Sequence, residues 1–263
     1  MAQPKTAADE LFRDLNALPF GGRVDPNDWN VKLLRKRIEQ LAAVNRPAYF
    51  DLLGALSAVT WDVEEMRSYH EASIRLRPNE IGPYDNYACS LYRMGFFSEA
   101  SKQIQAALRI APEEAGLWRH ASEVSLASGR IRLAHEQNAR WIELAPDQQN
   151  AFPESPAASV AQAADLLAIS DESAQLAVTI ANKVLHRQGC YSVVASVGVL
   201  QSDELPIIDY LMGVPASCGV TALNVSLASE LASADMLGDA SANLVVRYVE
   251  AVATDANLTH RVA

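Results

Sequence analysis

No run of about 18 apolar residues passes through this chain free of charge, so nothing in it reads as a membrane-crossing helix. The first residues, MAQPKTAADELFRDL, also lack the apolar stretch of a secretory signal, and the expected address is cytoplasmic. Cysteine is scarce. Cys89, Cys190 and Cys218 form neither an even framework nor a metal-ligand spacing, and reduced, buried thiols are expected. Catalytic signatures are missing too. None of His70, His120, His135, His186 and His260 stands in an HxH, HExxH or HxxxH pattern, and no glycine-rich loop ends in the lysine of a phosphate cradle. Basic charge is thin toward the end of the chain: residues 149–263 hold 4 basic and 12 acidic groups, −8 of the total −10. Nucleic-acid binding needs clustered Lys and Arg, so a nucleic-acid partner is not expected. No cofactor and no metal are expected either.

What the chain does have is apolar content and a period. At 49% hydrophobic residues over 263 positions there is ample material for a packed core. Pro78, Pro112 and Pro146 stand 34 residues apart, each just beyond an apolar helical run. Proline ends such a run because it lacks an N–H and pushes the preceding residue out of the helical region. Aligned on these prolines, residues 47–80, 81–114 and 115–148 each read as helix, turn, helix. In the second block Tyr84, Tyr87, Ala88 and Leu91 recur at three- and four-residue spacing. Gly95 then breaks the run, and Ala100, Ile104, Ala107 and Leu108 resume it. The third block repeats the scheme around Gly129.

These blocks resemble the tetratricopeptide repeat, whose period is 34 and whose signature sets an aromatic and Leu-Gly in the first helix, a small residue in the second and a closing proline. Phe50, Leu53 and Gly54 fill the first-helix places in the first block, Tyr84 and Trp118 the aromatic place in the others, and Ala100 and Ala134 the small place. Met66 at a small position, Trp61 at a turn glycine and Asn138 at an aromatic position depart from it. The resemblance covers 47–148 and implies a helical solenoid, which needs about three stacked units and atypical caps to bury its faces.

The flanks supply the caps. Residues 6–18 and 29–44 read as two helices, with Asp28 as N-cap of the second and its Lys32, Arg35, Lys36 and Arg37 on a solvated face. After the breaker-rich 150–159, two further helices are expected at 156–169 and 171–188, the latter capped by Asp171. From residue 191 the chain turns β-rich, with strands at 191–200, 206–214 and 242–251 and a helix near 218–234, in the order β-β-α-β. The expected fold is therefore mainly α and α+β overall. N-terminal capping helices fill 1–46, three repeat-like units 47–148, capping helices and a junction 149–189, and a small acidic α+β domain 190–263.

By the resemblance, function falls on the concave face of the first helices, which in such proteins receives a segment of a partner polypeptide. Transferring those repeat positions gives Asp51, Ala55 and Val59, then Asp85, Asn86, Cys89, Tyr92 and Arg93, then Arg119, His120, Glu123 and Leu126. Tyr92 is read either as an anchor for the partner or as a residue packed against the next repeat. The subtype that clamps a C-terminal carboxylate does not fit. Only Asn86 matches its basic and amide set, while Asp51, Ala55, Gly116 and His120 stand at the other places. The expectation is a non-enzymatic bacterial-type adaptor or chaperone-like protein with a protein or peptide partner, and a homodimer through the C-terminal sheet. The alternatives are an antitoxin or immunity protein that masks a basic toxin, and an enzyme seated in the C-terminal domain. For the last, His186 with Cys190, or Asp209 with the carboxylates at 202–204, are the candidate groups. Gly189 between the first two, and a solvated hairpin tip for the others, weigh against them.

Overall fold

Caps and breakers set the elements of the chain in a computed structural model that describes residues 6–18, 23–151, 155–192, 194–202, 205–234 and 243–251. Helix α1 (Ala7–Asn16) opens on a capping box in which the Thr6 hydroxyl accepts from the Asp9 N–H and the Asp9 carboxylate accepts from the Thr6 N–H. In α2 (Trp29–Glu39) the expected Asp28 carboxylate accepts from the N–H groups of Asn30 and Val31. Part of its basic face is engaged: Arg35 binds Glu65 through both carboxylate oxygens, and Arg37 reaches Asp14.

Three hairpins follow: α3 (Arg46–Thr60) with α4 (Val63–Leu76), α5 (Ile81–Arg93) with α6 (Phe97–Ile110), and α7 (Ala115–Ala127) with α8 (Ile131–Leu144). Each second helix ends two residues before its proline. The 34-residue period is also visible in hydrogen bonds, because Tyr84 OH donates to the Pro78 carbonyl at 3.0 Å and Trp118 Nε1 to the Pro112 carbonyl at 2.7 Å. Within each hairpin the small position is sealed, with Met66, Ala100 and Ala134 all fully buried. Gly54 makes room for His70 of α4, since a Cβ there would stand 2.6 Å from the ring.

The three hairpin turns share one conformation. Trp61, Gly95 and Gly129 have φ of 63°, 76° and 83°, so the turn needs the left-handed region even where the residue is tryptophan. Helix α10 (Asp171–Arg187) lies across the second and third turns, and the residues just after it reach the first. Ala174 and Gln175 meet Gly129, Asn182 meets Gly95, His186 Nε2 lies 3.2 Å from the Met94 carbonyl, and just beyond the helix Tyr191 packs on Trp61 with ring centroids 5.0 Å apart. The cap of α10 is the Ser170 hydroxyl, one residue before the expected Asp171, whose carboxylate instead pairs with Arg132.

Helix α9 (Ala157–Leu166) precedes α10, and β1 (Val194–Leu200), β2 (Ile207–Val214), α11 (Val220–Ala232) and β3 (Leu244–Glu250) follow it in the expected β-β-α-β order. The sheet is mixed, in the order β1-β2-β3. β1 and β2 are antiparallel, with Val197 opposite Tyr210, and β2 and β3 are parallel, with Tyr210 opposite Val246. A parallel pair needs a crossover, which α11 supplies. Asn224 of α11 ties to the backbone of Tyr248, whose hydroxyl donates to the Ala181 carbonyl of α10 at 2.6 Å. One apolar cluster joins Leu126 and Ile131 of the third hairpin to Val160, Val178, Tyr210 and Tyr248, so the sheet and the last hairpin share a core.

The expectation of three reduced thiols is corrected. Cys190 and Cys218 form a disulfide, with their Cα atoms 6.1 Å apart. The exit of α10 and the turn before α11 meet only in the folded chain, and their 28-residue separation carries no sequence signature. Such bonds persist in oxidising compartments, so the cytoplasmic expectation rests on the sequence reading alone. Among the described residues no helix is long and apolar enough to cross a membrane.

Candidate functional site on α5 and α7

The first helices of the hairpins do not offer one open face. All of 51–60 in α3 is buried, because α1 and α2 pack against it and the segment before α2 seals its end, where Val24 N–H donates to the Val59 carbonyl and Arg23 Nε to the Thr60 carbonyl. Asp51, Ala55 and Val59 are therefore corrected from groove residues to interior ones. Asp51 pairs there with Arg77 and accepts from the Ser73 hydroxyl. A carboxylate held in this way is not presented to a partner. At the other end Leu126 is buried in the cluster shared with α9, α10 and the sheet. Tyr92 is a wall residue and not an exposed anchor. Its ring lies 5.3 Å from Phe97 and packs against two apolar clusters, and burial pushes its phenol well up.

What remains is a polar patch on α5 and α7. Asp85 and Cys89 stand one turn apart on α5, where i and i+4 share a face, and His120 of α7 comes to meet both. His120 Nδ1 lies 2.6 Å from Asp85 Oδ1, and its Nε2 lies 3.9 Å from Cys89 Sγ. The ring is buried at 6% exposure, while Asp85 and Cys89 are part-exposed. Burial alone would pull the imidazole down, but its interactions with Cys89 and the Asp85 carboxylate together hold it well above its ordinary value. Arg119 pairs with Glu123 at 2.9 Å, and the Arg93 guanidinium is drawn down to about 10 by burial. Asn86, beside Asp85, is also part-exposed.

Asp85, Cys89 and His120 were each picked out by repeat register, yet their convergence was missed. A search for histidine pairs on one helix cannot find a ring on the next repeat; the available signal is two first-helix positions of one unit beside a third of the following unit. The Asp, Cys and His ligand atoms lie within 4.8 Å of one another. His120 Nδ1 is engaged by Asp85 Oδ1, and its Nε2 faces Cys89 Sγ, so the ring is held by hydrogen bonds on both sides.

No family model matches the chain. Over 74 residues, 28% of its length, it is 35% identical to Protein O-mannosyl-transferase Tmtc2 of Drosophila melanogaster, and the match spans 8% of that protein. The chain thus covers less than a tenth of this relative's length. The partial match and the helical hairpins fit a repeat of the tetratricopeptide kind. The name overturns one expectation. A transferase among the similar proteins removes the ground for calling the chain non-enzymatic, while so short a stretch carries no activity over to it.

The enzyme candidates expected in the C-terminal part do not assemble. His186 sits against the Met94 carbonyl and the rings of Phe96 and Tyr191, and Cys190 is in the disulfide. Asp209 is held by Arg247 through both oxygens, at 3.1 and 2.8 Å. Asp203, Glu204 and His260 lie outside the described residues.

Proposed function

We propose that the chain binds a polypeptide segment on the polar face of α5 and α7, acting as an adaptor between that partner and another component. The observation that carries this reading is the Asn86 side chain. It is part-exposed and makes no side-chain hydrogen bond among the described residues, so its amide is free to bind a partner backbone. Around it the part-exposed Asp85, Arg119 and Glu123 carry charges of both signs, which favours a segment of mixed charge over a purely acidic or basic one. Closure of the face at α3 and at Leu126 limits the segment to a few residues. The test is photocrosslinking from a benzophenone residue at position 86, compared with one at Lys102 on α6, with an Asn86→Arg, Arg119→Glu chain as competitor. A single polypeptide crosslinked from 86 only, and not displaced by the variant, supports the reading. Equal crosslinking from both positions, or none from 86, overturns it.

A further inference from the structure

The free thiol on the same face has the surroundings of a nucleophile. We infer that Cys89 is an activated thiol, with His120 as its base and Asp85 as the carboxylate that orients the base, and that it accepts acyl groups from thioesters. Three observations carry this. The Asp85 to His120 bond at 2.6 Å uses Nδ1 and so turns Nε2 toward Cys89 Sγ, 3.9 Å away, which is the order of orienting acid, base and nucleophile. His120 is buried and held by a short bond, whereas Cys89 is part-exposed, so the base is fixed and the nucleophile can be reached. Arg93 stands four residues beyond Cys89, on the same face of α5.

The position of Cys89 also selects the substrate class. It lies inside α5, where its backbone N–H is spent on the helical ladder and cannot serve as an oxyanion donor. Cleaving an amide depends on such donors. Thioester exchange replaces one carbon–sulfur bond with another and needs them far less. In the step, the thiol proton already rests on His120 Nε2, which the Asp85 carboxylate favours, when Sγ attacks the thioester carbonyl carbon. The bond from that carbon to the departing sulfur then breaks with its electron pair, and the departing sulfur takes the proton from Nε2. The products are S-acyl Cys89 and a free thiol, with no change of oxidation state. This chemistry belongs to the chain itself and needs no polypeptide on the face, so it fails or holds independently of the binding reading.

The test uses the intact chain, in which Cys89 is the one free cysteine beside the disulfide. The rate of alkylation by iodoacetamide at about pH 7 is followed by whole-protein mass beside that of N-acetylcysteine. A rate about 10-fold or more above that of the free thiol is expected, falling toward it in His120→Gln and Asp85→Asn. A wild-type rate no higher than that of N-acetylcysteine overturns activation, and this comparison needs no variant to fold. Incubation with S-acetyl-N-acetylcysteamine is then expected to add one hydroxylamine-labile acetyl group, absent in Cys89→Ala. Fast alkylation without acetylation would overturn the thioester assignment.

Discussion

His70 shows how much one buried ring can set. It is fully buried, stacks on Tyr87 with centroids 5.0 Å apart, and its Nε2 lies 2.8 Å from the Ser90 hydroxyl. Burial pushes its pKa down to about 3, so the ring is neutral in the fold and takes a proton in the unfolded chain below about 6.5. The unfolded state then binds more protons, and stability must fall as pH drops through that window. The expected loss from this residue between about pH 6.5 and pH 5 is about 2 kcal/mol, read from urea unfolding midpoints. His186 is also lowered by burial and adds to the same slope. His120 is raised, so its stabilisation is fully present below about 6.5 and is lost only as pH rises through its higher folded value. A His70→Gln chain should show a flatter acid slope, and an unchanged slope would mean that His70 is not the titrating group. That the ring is buried was not legible in the sequence, where it is one polar residue on an otherwise amphipathic helix. Gly54 was legible as a repeat position, but its purpose, space for that ring, needed the packing.

At the scale of elements, the period of 34 was readable because helices stop where proline stands and turns form where glycine stands. Both glycine turns were anticipated from Gly95 and Gly129. Trp61 looked like a departure, yet it adopts the same left-handed turn, and its contact with Tyr191 offers a compensation for the strain. What the pattern could not reveal is that α10 lies on the two glycine turns. At Gly129 a Cβ would stand 2.5 Å from the Gln175 backbone nitrogen, whereas at Gly189, with φ of 65°, nothing lies within 4 Å. Gly189→Ala should therefore cost only the left-handed penalty of about 1–2 kcal/mol. Gly129→Ala adds a clash with backbone that cannot rotate away, for a total of about 2–5 kcal/mol. Thermal unfolding of the two variants side by side measures the difference, and equal losses would mean that α10 does not press on the third turn. The same view explains the corrections on α3: Ala55 is covered by α1 and α2, Asp51 is tied to Arg77 and Ser73, and the segment before α2 closes over Val59.

Across the whole molecule, the closing strands are tied to the solenoid by a shared core and by the Cys190–Cys218 disulfide. The bond closes a loop of 28 residues that contains β1 and β2. Chain-entropy reasoning puts its stabilisation at about 3–4 kcal/mol. Reductant, applied to a Cys89→Ser chain so that no other thiol interferes, should shift the urea midpoint down by a corresponding amount. Hydrogen exchange should quicken in β1 and β2 before it does in α3 and α4, which lie outside the loop. A midpoint unmoved by reductant would place the two sulfurs as free thiols in solution. By itself the sequence determined the local structure: three proline-stopped hairpins, the capped N-terminal helices, and the β-β-α-β order, which left an antiparallel or a mixed sheet open. These follow from breakers, caps and periodicity acting over a few residues. Only the tertiary structure decided which expected groove positions were buried, which two cysteines meet, and that Asp85, Cys89 and His120 converge. Each of those depends on which surfaces pack together, and contacts between residues distant along the chain leave no mark on its local pattern.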